Sequence, residues 1–371
     1  MSTFLTNEQS LGSTIEAAID AATKGIGKVN IVTVGKTGVG KSTLINTVFR
    51  GEFAKTGSGQ PVTQTIVEIT KPGHPLTIID TKGLEVADYV KTREALEELI
   101  NERSTSEDQS RHIHVAWLCI QEGSDRVETA EIELCEMLAD ASIPVVVVVT
   151  KARSNREFLV TVKDLLPRAE RYVRVRALDE YIEELETSLP AVGLEQLIDA
   201  TAELLPEAQQ RAYANALSMR LRRALELKKR QAELEVNISA GFAAAAAATP
   251  IPFASAALLV PIQITMLAKI GSTFGMQMST NALTTLITSV LGTSAATLVG
   301  RTIVTGLLKL IPVAGSIAGG TIEATTAGLI TKTLGNAYTE ALFDFCFTHP
   351  NDEIDIESIA RALKNALSRA L

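Results

Sequence analysis

The sequence predicts an α/β unit, with a mostly parallel sheet and helices on both faces, followed by an all-α region. Three observations predict it. Near-continuous apolar runs such as PVVVVVT (residues 144–150) alternate with charged helical stretches up to about residue 205, as strands covered on both faces do. The octapeptide GKTGVGKS at residues 35–42 sits where a strand-like run gives way to a helical one. Beyond Val236 charge nearly vanishes: between 236 and 339 only Lys269, Arg301, Lys309, Glu323 and Lys332 carry any. At 371 residues the chain can hold two cores, since one core rarely grows past about 250–300 residues.

Taken in order, Gln9 to Lys24 spaces Leu11, Ile15, Ala18, Ile19 and Ala22 helically. This is a helix packed on the domain that follows, or an arm that binds a partner. Strands are expected at Val29–Val34, Thr65–Thr70, Leu76–Ile79, His114–Ile120, Ile143–Thr150 and Tyr172–Arg176. The stretch ALSMRLRRALELKKRQAELEV, with Leu217, Leu221 and Leu225 four apart, reads as a long helix. After NDEIDIES a last helix places Ile356, Ile359, Leu363 and Leu367 on one face. The expected division is a helical arm over residues 1–27, an α/β domain over 28–205, an apolar helical domain over 206–350 and an amphipathic helix over 351–371.

GKTGVGKS satisfies G-x-x-x-x-G-K-[ST] at Gly35, Gly40, Lys41 and Ser42, with NIVTV before it as strand and STLINTVF after it as helix. Glycines let successive backbone N–H groups face phosphate oxygens, and the helix turns its positive end to the same anion. The cradle is therefore Gly35, Lys36, Thr37, Gly38, Val39, Gly40, Lys41, Ser42 and Thr43. Lys41 would reach the β- and γ-phosphates, and Ser42 would ligate Mg²⁺. In LTIIDTKG, Asp80 ends an apolar strand where it can hold Mg²⁺ through water, and the Gly83 amide can sense the γ-phosphate. Within GEFAKTGSGQPVTQT, Thr63 is the candidate to cap Mg²⁺, with Thr65 the alternative.

GKTGVGKST, PVTQT, DTKGLE and VVVVVTKAR resemble the successive motifs of Era-like, translation-factor-type GTPases. The resemblance covers roughly residues 28–205 and is strongest to a bacterial group in which such a domain precedes an Ala/Gly-rich helical domain thought to be membrane-associated. AAAAAATPIPFASAALLVPIQ and LLKLIPVAGSIAGG are similar to that second domain, and there is a more distant likeness to immunity-related GTPases. It implies an α/β P-loop GTPase domain followed by an all-α helical domain, with GTP or GDP and Mg²⁺ as ligands. Thr150 and Lys151 would stand at the base, with Ala177 in the last base-contacting loop.

Three departures qualify this. The guanine motif [NT]KxD falls on Thr150, Lys151, Ala152 and Arg153, so an arginine with only donors stands where a carboxylate would accept from guanine. A carboxylate elsewhere, such as Glu157 or Asp179, would have to substitute, or base selection is relaxed. Leu84 follows Gly83 where a water-orienting glutamine stands in Ras-like proteins, so hydrolysis is expected to be slow or to need a partner or dimer. Lys82 replaces a proline or alanine, projecting to solvent or toward the γ-phosphate.

A formal net charge of −8 offers no basic field for nucleic acid. Cys119, Cys135 and Cys346 lie far apart, as small buried residues of a reducing compartment do. His112 and His114 lack further ligands at metal spacing. MSTFLTNEQSLGST lacks the features of a signal peptide, so a cytoplasmic location is expected. The charge-free stretch 236–268 is long enough to cross a bilayer, but Pro250, Pro252 and Pro261 interrupt it, which favours hairpins turning at TPIPF and LIPVAG. Gly292, Ala296 and Gly300, and Gly315 and Gly319, allow close helix approach in a membrane or in a soluble bundle. For the membrane arrangement, Arg220, Arg222, Arg223, Lys228, Lys229 and Arg230 would meet anionic headgroups.

The resulting expectation is a slow GTPase switch whose nucleotide domain controls a membrane-associating helical domain. A nucleotide-dependent homodimer and an unidentified protein effector are its expected partners, with no nucleic acid. The rivals are a dynamin-like or immunity-related-like membrane-remodelling GTPase and a nucleotide-binding scaffold with little turnover.

Overall fold

A computed structural model describes residues 2–51, 53, 60–61, 66–81, 89–183, 186–248, 254–291 and 324–369. Its strands are β1 (Val29–Val34), β2 (Gln60–Pro61), β3 (Ile66–Thr70), β4 (Leu76–Thr81), β5 (Val115–Gln121), β6 (Val145–Thr150), β7 (Arg171–Arg174), β8 (Glu180–Ile182) and β9 (Thr187–Leu189). The described helices, in chain order, are α1 (Ser2–Lys24), α2 (Lys41–Val48), α3 (Tyr89–Ser104), α4 (Thr129–Asp140), α5 (Glu157–Leu165) and α6 (Leu194–Leu204). They continue with α7 (Glu207–Ala216), α8 (Arg222–Ala247), α9 (Ala254–Phe274), α10 (Thr280–Leu291), α11 (Ala324–Thr348) and α12 (Ile356–Arg369). Contacts divide the chain into two compact units, residues 27–224 and residues 1–26 with 225–371.

The α/β unit holds a seven-stranded sheet in the order β2-β3-β4-β1-β5-β6-β7. β4, β1, β5, β6 and β7 run parallel, while β3 pairs antiparallel with β4 and β2 with β3. Alternation along the strands sends side chains to two faces. Val32, Leu118 and Val147 join Leu99 of α3, Leu134 of α4 and Phe158 of α5 in one core. On the opposite face Trp117 stacks on Phe49 with ring centres 5.5 Å apart and donates Nε1–H to Thr201 Oγ1 of α6 at 3.1 Å. A fully buried tryptophan keeps its N–H satisfied in this way. The chain runs from β1 out to β2, β3 and β4 on one side and then crosses from β4 to β5 on the other. In such sheets a crevice lies beyond the carboxyl ends of the strands at that point.

The contact boundaries differ from those that composition indicated. Residues 206–224, expected in the helical domain, belong to the α/β unit, because Tyr213 of α7 meets Phe49 edge-on and Leu217 forms an antiparallel bridge with it. The bridge also ends the expected long helix: Leu217 is extended, and Ser218 N–H donates to Val48 O at 2.9 Å. Leu217, Leu221 and Leu225 therefore do not share a helix face.

The helical unit takes in α1, whose Ile15, Ala18 and Ala22 are buried. α1 packs on α9 and α10, and α12 packs on α10 and α11. The expected arm over 1–27 and the terminal helix over 351–371 are thus parts of one helical unit. In α12, Ile359, Leu363 and Leu367 are buried, and Asp355 accepts from the Ser358 N–H at 3.1 Å as its cap. Pro261 lies inside α9 rather than ending it. The proline costs about 3 kcal/mol in a helix interior, which burial of Leu259, Ile264, Met266 and Leu267 around it offsets. The turns expected at TPIPF and LIPVAG lie outside the described residues, as do the small-residue pairs from Gly292 to Gly319. Among the described residues no helix is long and apolar enough to cross a membrane.

Candidate functional site

The loop between β1 and α2 depends on glycine. Gly35, Gly38 and Gly40 have φ of 147°, 74° and 105°, in the left-handed half of the map that side chains avoid. At Gly35 a side chain is also excluded by space, since a Cβ would lie 2.5 Å from Cys119 O on β5. Lys41, buried at the start of α2, folds back across the loop and donates to Gly35 O at 2.7 Å and Lys36 O at 3.2 Å. From the far side Thr150 Oγ1, at the end of β6, donates to Val39 O at 2.7 Å. Lys36 pairs with Glu128, the cap of α4. Gly40 caps α2 without a side-chain acceptor, so the first-turn N–H groups are available to an anion. Ser42 and Thr43 are exposed in that turn.

Asp80 lies beside β1 in register with Thr33, whose hydroxyl donates to its Oδ1 at 2.9 Å. Burial pushes the Asp80 carboxyl above its ordinary range, and the charge of Lys41 opposes that rise. A hydroxyl at Ser42 and a carboxylate at Asp80 are hard oxygen donors, the chemistry that Mg²⁺ takes, usually with several waters retained. Thr63, Thr65, Lys82, Gly83 and Leu84 lie outside the described residues. Among the described residues no group of three or more His, Cys, Asp or Glu could hold a metal. His114 Nδ1 accepts from Asn30 N–H at 3.0 Å, and burial lowers its pKa from 6.5 to about 4. His112 Nε2 lies 2.9 Å from Ser106 O, so the histidine pair is spent on local structure. All three cysteines are buried and unpaired.

A cavity of about 740 Å³ runs from Gly40 and Thr43 to the loops after β5, β6 and β7. Lys151 and Ala177 line it, with Thr150 in its wall. Lys151 takes a left-handed φ of 51° and donates to Gln121 Oε1 at 3.3 Å. The Arg153 side chain turns to Glu180, with Nε 3.2 Å from Oε2 and Nη2 on Oε1. Of the carboxylates expected as substitutes, Glu157 does not line the cavity, and Asp179 lines it but accepts the Ala191 N–H at 2.7 Å.

Glu122 escaped sequence reasoning. It is buried, and its two oxygens accept from Arg153 N–H at 2.5 Å, Asn155 N–H at 3.4 Å, Arg174 Nε at 2.8 Å and Arg174 Nη2. Arg176 Nη1 ties the same segment from below, donating to Ala152 O at 2.7 Å. These bonds hold the T-K-A-R turn rigid. The available sequence signal was an acidic residue one position beyond the apolar run of β5, a place where a buried carboxylate is retained only if donors surround it.

Residues 30–151 match the family model described as 50S ribosome-binding GTPase, and residues 212–368 match a domain of unknown function (DUF697). A "Probable GTP-binding protein EngB" of Leuconostoc mesenteroides is 34% identical over 128 residues, 34% of this chain and 63% of that protein. One of Leuconostoc citreum is 33% identical over the same shares. The chain therefore spans 63% of the length of these curated relatives. Among solved structures, a probable GTP-binding protein engB aligns with TM-score 0.33 and 20% identity over 47% of this chain and 98% of that one. An Era variant of Aquifex aeolicus bound to GDP·AlF4− aligns with TM-score 0.31 and 18% identity over 49% of this chain and 58% of that one.

Proposed function

We propose that the α/β unit binds a guanine nucleoside triphosphate with Mg²⁺ and hydrolyses it slowly to the diphosphate and inorganic phosphate. The observation that carries this reading is the buried Lys41 ammonium resting on Gly35 O and Lys36 O, 2.7 and 3.2 Å away, under a loop of left-handed glycines. Those carbonyls stand in for phosphate oxygens, which would draw the ammonium outward. Lys41 and the loop amides then stabilise charge developing on the γ-phosphate as water attacks it in line. Ser42 and Asp80 would hold Mg²⁺, with Thr63 completing the set. When bound, the ion neutralises charge between the β- and γ-phosphates. Gly83 would contribute its amide to the γ-phosphate, while Leu84 offers no hydrogen bond to orient water. Turnover is accordingly slow without another group, an effector or a second copy of the chain. The match of residues 30–151 to a GTPase family supports the same reading. Calorimetric titration of GTP, GDP and ATP with Mg²⁺ tests it. Tight binding of GTP and GDP is expected, and a flat trace for all three overturns the reading.

We further propose that nucleotide state controls the helical unit, and that this unit associates with a membrane surface. The support is an apolar row on α8, where Leu234, Ile238 and Phe242, four residues apart, are 44%, 52% and 63% exposed. The basic cluster contributes less than its composition promised. Lys228 is buried with Nζ 3.4 Å from Thr273 O, Lys229 pairs with Glu340, and Arg223 pairs with Asp199. Flotation with anionic liposomes should bring more protein to the lipid fraction in a non-hydrolysable GTP analogue than in GDP. Equal partitioning in the two would remove the coupling.

A further inference from the structure

The cavity's far wall raises a question that nucleotide binding leaves open: which group reads the base. Guanine presents two adjacent donors, N1–H and the 2-amino group, whereas adenine presents an acceptor at N1 and no 2-amino group. A carboxylate takes both guanine donors at once through charge-assisted bonds and offers adenine's N1 no donor. Residue 153 cannot do so, because an arginine has donors alone.

Among the described residues, four carboxylates line the cavity. Glu122 is saturated, buried under four donors. Asp179 closes a loop through Ala191 N–H at 2.7 Å, and Asp125 sits in a left-handed turn held by Asn155 Nδ2 at 2.7 Å. Glu180 differs from these in keeping a third of its side chain open to the cavity while a charged side chain aims it. Arg153 is fixed at its backbone by Glu122, and it reaches across with Nε and Nη2 to both Glu180 oxygens. Glu180 itself opens β8, and pairing with Leu189 on β9 holds its main chain. A fork of this kind occupies one lone pair on each oxygen of a carboxylate that has about four acceptor sites, so a matched pair of donors can still dock. The two side chains are 62% and 33% exposed, and ion pairs in such a setting contribute little to stability. Stability alone therefore gives no reason for the pair.

We infer that Glu180 is the carboxylate that selects guanine, and that Arg153 is the positioning residue that presents it. The arginine at residue 153 then carries a carboxylate to the base instead of supplying one. The inference rests on the nucleotide-binding reading above and names the base-reading residue of that same site. The hydrogen bond from Arg153, with its charge, also keeps the Glu180 carboxyl below its ordinary range.

The test is calorimetry on the full chain with Mg²⁺, using GTP, ITP, which lacks the 2-amino group, ATP and inorganic tripolyphosphate. The intact protein should prefer GTP to ITP and ITP to ATP. Glu180→Gln should lose GTP affinity by about 10- to 100-fold, the worth of one charged hydrogen bond, with a smaller loss for ITP and none for tripolyphosphate. Arg153→Ala should lose selectivity in the same order, but by less. If Glu180→Gln also weakens tripolyphosphate, the fold has been disturbed, and Arg153→Ala decides instead. Preserved GTP:ITP:ATP ratios in the deciding variant overturn the inference, as does an intact protein that prefers ATP or treats the bases alike. An intact protein that binds none of the four probes overturns the nucleotide reading itself, a result distinct from the others.

Discussion

Gly35→Ala is expected to cost the α/β unit roughly 2–6 kcal/mol and to abolish measurable triphosphate binding, because backbone strain and overpacking each contribute about 1–3 kcal/mol. The backbone there has φ 147°, a region that essentially only glycine occupies. The new methyl group would meet Cys119 O at 2.5 Å and Cys119 Cβ at 3.1 Å. Neither side can yield cheaply. β5 is hydrogen-bonded to β1 on one edge and to β6 on the other, and Cys119 is fully buried. Relief would have to come from the loop, moving the carbonyl on which Lys41 rests. Gly38→Ala is the natural control: its φ is 74°, but nothing lies within 4 Å of an added Cβ. That variant should lose only about 1–2 kcal/mol, the left-handed penalty alone. Urea unfolding followed by calorimetry separates the two. Equal mild effects at both glycines would mean that the loop does not lean on β5 as described.

Lys41→Ala should behave in the opposite way, nearly silent in stability and severe in binding. The ammonium is buried against two neutral carbonyls. Such a contact roughly balances the cost of removing the charge from water, so the melting temperature should move little. Toward phosphate the same group forms charge-assisted hydrogen bonds worth about 1.5–3 kcal/mol each. Loss of two of them lowers GTP affinity by about 10²- to 10⁴-fold. Unchanged affinity in a folded Lys41→Ala protein would place the phosphates elsewhere and remove the basis for the switch.

What could be read from the chain was local. The apolar runs of β1, β4, β5 and β6 and the glycine pattern of the loop announce themselves in a few consecutive residues, and the observed strands begin and end within two residues of the expected positions. What could not be read depends on partners distant in sequence. Helical spacing in α1 says that it buries one face, and nothing in residues 9–24 says that the covering helix begins at Ala254. Leu217 has the spacing of a helix, yet its bridge to Phe49 wins, because that pairing also satisfies the amides of Arg50 and Ser218. Pro261 reads as a break, and long-range burial of its neighbours overrides it. At the site, Thr150 was legible as a position, but its hydroxyl bond to Val39 required the fold. Glu122 and Glu180 follow no motif, and only the approach of three loops makes them neighbours of residue 153.

Membership of α1 in the helical unit bears on how the protein can be taken apart. A fragment starting at Leu225 is not a domain but a domain with an empty slot, its bare α9 flank as sticky as any torn core. Trimming the leading segment as a dispensable tail would leave the same wound. The α/β unit, by contrast, is an insert in sequence between the two pieces of its neighbour.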